Sequence, residues 1–224
     1  MKTAYLIFSF FIPVLGAAQT RGGAIFFRMT YSHVPHASTM LERLSPDSIG
    51  GFSNTFYGFG TDGFYAWNQL RLGFNAVLAV QGPSSRGDKY AEPMTGSAYL
   101  TVAYVVCNSR RLALSPHVGA GISGVKFTSY DRKESIISDL RSVHIVRPSI
   151  DACLNLDWNV HRFSESSLNT YAIMGFRLGY RYSGRSDAWK GKDSDRLRSP
   201  TGSFSNNAFY FTVALGIGVF NNKQ

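Results

Sequence analysis

Six charged residues stand among apolar neighbours: Arg28, Arg71, Asp151, Asp157, Arg177 and Arg181. Leu70 and Leu72 flank Arg71, and Phe176 and Leu178 flank Arg177. Gathered on one inward face, such groups could form an ion pathway or an anion site. They could equally pair into a packed polar interior that stiffens the fold. An isolated charge in a narrow interior is costly, so the pattern predicts pairing. A turn centred near residue 164 would set Asp151 opposite Arg177.

Three further groups invite chemistry. His33 and His36, with Ser38 beyond, carry an imidazole pair and a hydroxyl. Their spacing fits no hydrolase or acyltransferase motif, and two histidines alone do not make a metal site. A basic stretch holds Arg185, Lys190, Lys192, Arg196 and Arg198, suited to phosphates or other polyanions. Cys107 and Cys153 both fall on the inward phase at different heights, which predicts two buried thiols and no bridge. His117 reads as an interior polar residue, His161 as a turn residue and His144 as a loop edge. No catalytic residue, metal site or cofactor is assigned.

The elements that must position these residues are strands. In Asn207–Phe220, Phe209, Phe211, Val213, Leu215, Ile217 and Val219 alternate with Ala208, Tyr210, Thr212, Ala214, Gly216 and Gly218. A spacing of two is strand periodicity. Bulky apolar residues on one face and small or polar ones on the other suit a barrel with lipid outside. The same code runs through 24–34, 96–107, 111–128, 145–160 and 168–183. Residues 51–60 alternate poorly. Thr61-Asp62-Gly63 reads as a tight turn leading into a long strand 64–80, in which Asn68 interrupts the apolar face. Pro116 predicts a local break in its ladder, and a bulge near Gly124 would explain why Val125 and Phe127 break phase. Connections at 35–49, 81–95, 129–144 and 184–204 are long, and those at 61–63, 108–110 and 161–167 are short. That alternation predicts an all-β, antiparallel, up-and-down transmembrane barrel of about eight strands, with short periplasmic turns and long external loops. Tyr31, Phe64, Tyr104, Trp158, Tyr180, Tyr182 and Phe209 are placed as outward aromatics of interfacial girdles.

The 224 residues fit one such barrel, and the formal net charge is +9. Residues 1–18 read as a secretory signal: Lys2, an apolar run Tyr5–Leu15, and small Gly16 and Ala18 before cleavage at Gln19. Residues 19–224 are then the barrel domain, exported to the bacterial outer membrane. Export makes nucleic acid a poor explanation for the charge, and there is no phosphate-binding glycine loop ahead of a helix.

The signal segment, the alternating strands and the aromatic-rich Phe209–Phe220 strand resemble the small eight-stranded outer-membrane barrels of Gram-negative bacteria. The resemblance spans nearly all of the mature chain and rests on pattern. It implies outer-membrane lipid and lipopolysaccharide as surroundings. It also implies insertion by the barrel-assembly machinery, through a closing strand that ends on Phe220 and four further residues. Some small barrels modify lipid A with a histidine and a serine near the outer leaflet, which makes His33, His36 and Ser38 the positions to test. The leading expectation is a non-enzymatic barrel whose external loops serve surface contact, adhesion or envelope stability, with a surface ligand of unstated identity. The alternatives are a small-solute pore or carrier, a lipid-modifying enzyme, and an accessory barrel of a secretion system.

Overall fold

Bulky residues at every second position, on strands too apolar outside for water, leave the chain one economical solution: a sheet closed on itself. The computed structural model describes residues 20–45, 49–109, 111–133, 136–163, 169–185, 189–191 and 204–222. Eight long strands form the wall: β1 (Thr20–His33), β2 (Thr55–Trp67), β3 (Leu70–Val80), β5 (Lys89–Tyr104), β7 (Leu112–Lys133), β8 (Ile136–Arg162), β9 (Asn169–Ser183) and β11 (Ala208–Asn222). Short pieces β4 (Ser84–Arg86), β6 (Cys107–Asn108) and β10 (Lys190–Gly191) pair outside the ring, and a helix, α1, spans Ala37–Leu44. Each wall strand pairs antiparallel with its chain neighbour in the ring, and β1 pairs with β11 from Thr20↔Asn222 to His33↔Phe209, closing the barrel. Closure leaves no edge with unsatisfied backbone groups, the condition for crossing a bilayer with strands. Among the described residues no helix is long and apolar enough to cross a membrane.

The outside is built for hydrocarbon. Leu100 is 76% exposed, Leu178 66%, Ile25 60% and Leu215 58%. Apolar exposure on this scale, continued around every strand, far exceeds the few hundred Å² typical of a soluble surface patch. The fold is therefore an antiparallel up-and-down transmembrane β-barrel of eight strands.

Several local expectations are corrected. The first short turn lies at Asn68-Gln69, not at 61–63: β2 runs through Asp62 to Trp67 and pairs with β3 from Leu70. Asn68 takes φ 57, a left-handed conformation that asparagine accepts more readily than most residues. The turn also reverses the phase before it. Tyr65 and Trp67 point outward, Ala66 is buried, and Phe64 turns inward against Phe26 and Phe220 instead of joining a girdle. The apparent outlier Asn68 was thus the turn itself.

The long connections are more structured than loop composition suggests. Residues 81–95 supply β4 and the first half of β5, and residues 129–144 belong largely to the continuing β7 and β8. The ladder passes Pro116↔Leu154 without a register shift, so that proline removes a donor but does not break the pairing. No irregularity falls at Gly124; the β7–β8 shift lies between Ser129 and Asp131. Val125 and Phe127 keep the inward phase because apolar chain waits for them inside the barrel mouth.

That apolar chain is the first long connection. Its described residues, 35–45 and 49, gather inward around α1, whose buried Ala37, Met40 and Leu41 fall at the i, i+3, i+4 spacing of an amphipathic helix. Asn54 Oδ1 accepts from the Ser38 backbone N–H at 2.9 Å, satisfying one orphan donor of the first turn. Val34, Ile49, Phe52 and Phe56 join the helix against Val77, Ala79, Val125, Phe127, Val143 and Ile145 from the wall, with Trp189 and Phe204 added from the last connection.

Candidate functional site

Below the plug the inward positions turn polar, and they hold the charged cluster. Arg28 on β1, Arg71 on β3, Asp151 and Asp157 on β8, and Arg177 and Arg181 on β9 are all buried in the lumen. Their inward direction follows from the two-residue period alone. A seventh charge, Asp62 of β2, joins them and is equally buried. It was hidden in the sequence because Thr61-Asp62-Gly63 has turn composition while lying mid-strand.

Asp62 is the hub. Its carboxylate forms ion pairs with Arg177 and, at 3.7 Å, with Arg28. Arg28 also donates to Thr212 Oγ1 at 3.1 Å, and Thr212 shares a 2.9 Å hydrogen bond with Thr30. Arg71 pairs with Asp157 and also donates to Ser115. The arginines lie over rings as well: Arg71 sits 4.3 Å from the centroid of Phe64 and Arg177 5.0 Å from that of Phe26. Cation–π contact of this kind strengthens where water is excluded.

The expected Asp151–Arg177 pairing is corrected. Asp151 faces Arg181 in the ladder, and Arg177 faces Asn155. The β8–β9 connection is centred later than residue 164, as shown by the Phe163 N–H donating to Thr170 O at 2.8 Å. A second irregularity between Asn159 and His161 shifts the count again. Asp151 instead accepts from the Tyr210 hydroxyl at 2.7 Å and lies 3.0 Å from His117 Nε2. Asn155 Nδ2 donates to His117 Nδ1 at 3.0 Å, which leaves Nε2 as the ring nitrogen facing Asp151. The Tyr210 ring reaches this position by lying across Gly179, where a Cβ would collide with it. Tyr210 and Thr212 stand on the small, polar face of the closing strand, so their inward direction was readable, though not their partners.

Cys153 is buried and donates to Asn155 Oδ1, while Cys107 is exposed, and both are free thiols. The inward reading of Cys107 fails because β5 stops at Tyr104. Val105 N–H then turns to Gln69 O, and the chain re-pairs as β6 against Leu114 and Ala113. His33 and His36 are exposed where β1 gives way to α1, while Ser38 is half-buried. His161 lies edge-on to Phe163, and His144 is exposed on β8. Of the basic stretch, Arg185 and Lys190 are exposed; Lys192, Arg196 and Arg198 lie outside the described residues, as does the 1–18 segment. Among the described residues no three histidine, cysteine or acidic side chains cluster as a metal site would require.

On the barrel exterior the register assembles a group the sequence did not reveal. Lys126 pairs with His144, and His144 with Lys190, so three exposed nitrogen-bearing side chains form one cross-strand row. The row stands four residues along β7 from lipid-facing Ile122 and two along β8 from Val146.

No family model matches this chain, and no curated protein does. Among solved structures, the chain is similar to Ail, the attachment invasion locus protein of Yersinia pestis, with 13% identity, 91% of this chain and 99% of that chain covered, and a TM-score of 0.43. It is similar to the outer membrane protein OprG from Pseudomonas aeruginosa at 9% identity, with 92% and 99% covered and a TM-score of 0.41. Neisserial surface protein A gives 12% identity, 89% and 97% covered, and a TM-score of 0.38.

Proposed function

We propose that this chain is a sealed, non-enzymatic barrel of the bacterial outer membrane whose work is done on its external face. The observation that carries the reading is the filled interior. Arginine–aspartate pairs occupy mid-lumen and an apolar plug built on α1 occupies the mouth. An eight-stranded barrel is just wide enough for side chains to fill it, and here they do apart from a space of about 30 Å³ beside Arg177. Residues 1–18 would direct export, with cleavage after Ala18, and the closing strand would present Phe220 to the assembly machinery.

The external face has two parts. The sheet continues past the barrel as the β4–β5 and β7–β8 extensions, with β10 added to β8. At its base the Lys126–His144–Lys190 row sits just above lipid-facing side chains, at the level suited to lipopolysaccharide phosphates. Surface contact, adhesion or envelope stabilisation are roles such a face can serve.

Planar-bilayer recording of the reconstituted protein tests the sealed lumen. The expected record shows no discrete openings; regular single-channel steps would replace this reading with the pore. Lys126→Glu together with Lys190→Glu tests the external row. Phosphate from co-purifying lipopolysaccharide should fall severalfold, with boiled and unboiled gel migration unchanged.

A further inference from the structure

The lumen holds a charge imbalance next to an open space. Among the described residues, the buried charged side chains are four arginines (28, 71, 177 and 181) and three aspartates (62, 151 and 157). One positive charge is therefore left over where dielectric screening is weak, and an uncompensated buried charge is severely destabilising. The excess is local. Arg71 pairs with Asp157 and Arg181 faces Asp151 across the ladder, whereas Arg28 and Arg177 share Asp62.

A cavity of about 30 Å³ lies against the Arg177–Asp62 side of this trio, with Arg71, Arg177, Asn75, Thr101, His117 and Asn155 in its wall. A single water needs roughly 10–15 Å³ by the same measure, so the space suits one small ion or a couple of waters. Arg177 Nε is buried without a hydrogen-bond partner, as are Arg28 Nε, Arg181 Nε and Asp62 Oδ2. Asp62 also lines the space, but its charge is already divided between two guanidinium groups.

We infer that this cavity binds one small monovalent anion, of the size of chloride, held between Arg71 and Arg177. The anion neutralises the surplus charge of the Arg28–Asp62–Arg177 triad and is a structural part of the lumen. This inference concerns the barrel interior and does not depend on what the external face contacts.

The test exchanges chloride for gluconate, an anion too large for the cavity, at constant ionic strength and follows urea unfolding of the full chain in micelles. One bound anion requires the folding equilibrium constant to rise about tenfold for each tenfold rise in chloride above its Kd, or about 1.4 kcal/mol. Arg177→Gln removes the surplus charge and leaves Arg28 paired with Asp62. That variant should fold and lose the chloride dependence. On the unaltered protein, bromide should show NMR line broadening that chloride reverses and gluconate does not. A wild-type equilibrium indifferent to which anion is present, or a dependence undiminished in Arg177→Gln, overturns the inference. So does the absence of chloride-reversible bromide broadening, which would leave water as the occupant.

Discussion

The mid-lumen and the mouth are lined by the same strands through the same inward positions, yet they are stabilised by opposite chemistry. On β8, Asp151 and Asp157 face the lumen as charges, while Val143 and Ile145, on the same inward phase, face the plug as apolar groups. The difference lies in what each meets. Among the described residues, the mid-lumen positions meet only the facing wall, so neighbours satisfy one another with hydrogen bonds and ion pairs. At the mouth an amphipathic helix brings its own greasy stripe. Alternation along a strand therefore fixes direction, while the polarity of the inward residue reports what fills the space.

The comparison can be broken most forcefully at Asp62. Asp62→Ala leaves Arg28 and Arg177 buried without their carboxylate, and the expected loss is about 3–5 kcal/mol of global stability. Urea unfolding followed by tryptophan fluorescence measures it, and a loss below about 1 kcal/mol would mean the triad is not a structural hub. Next comes the mouth. Leu41→Ala removes a fully buried side chain from the plug and should cost about 2–4 kcal/mol. That cost is local: protease cleavage around α1 should accelerate while the boiled and unboiled bands stay apart. Equal loosening of β9 amides in hydrogen exchange would show that the two regions are one cooperative unit.

Smaller effects sharpen the contrast. Tyr210→Phe deletes one charge-assisted hydrogen bond to Asp151 and should cost about 1.5–3 kcal/mol in the same unfolding assay. Asn68→Ala, at a left-handed turn outside both regions, should cost about 1 kcal/mol. Cys107 should react with a water-soluble maleimide in the folded barrel while Cys153 stays protected until denaturation, with no change in stability.

Much of this was legible in the chain. The inward direction of all six charges first singled out follows from period two, and so does the lipid-facing set on the closing strand. The partners did not follow, because they depend on register. A turn centre displaced by two residues moved Arg181, not Arg177, opposite Asp151. Asp62 was lost to local composition: Thr-Asp-Gly is favourable in a turn, but pairing with β1 and β3 holds it extended. Val125 and Phe127 looked out of phase because an apolar inward residue is the wrong sign for a water-filled or polar lumen. Only the plug makes sense of them, and a plug is a contact between distant segments that no local pattern records. The Lys126–His144–Lys190 row was invisible for the same reason, since its members are far apart in sequence.

The unequal length of the wall strands has a mechanical consequence. β8 has 27 residues where β9 has 15, a surplus of twelve, or roughly 40 Å of extra ribbon at about 3.3 Å per residue. Because that surplus is largely bonded to β7, a tug at the far end would run along both strands into the barrel wall. Slack chain would absorb the same tug; a hydrogen-bonded ribbon would transmit it.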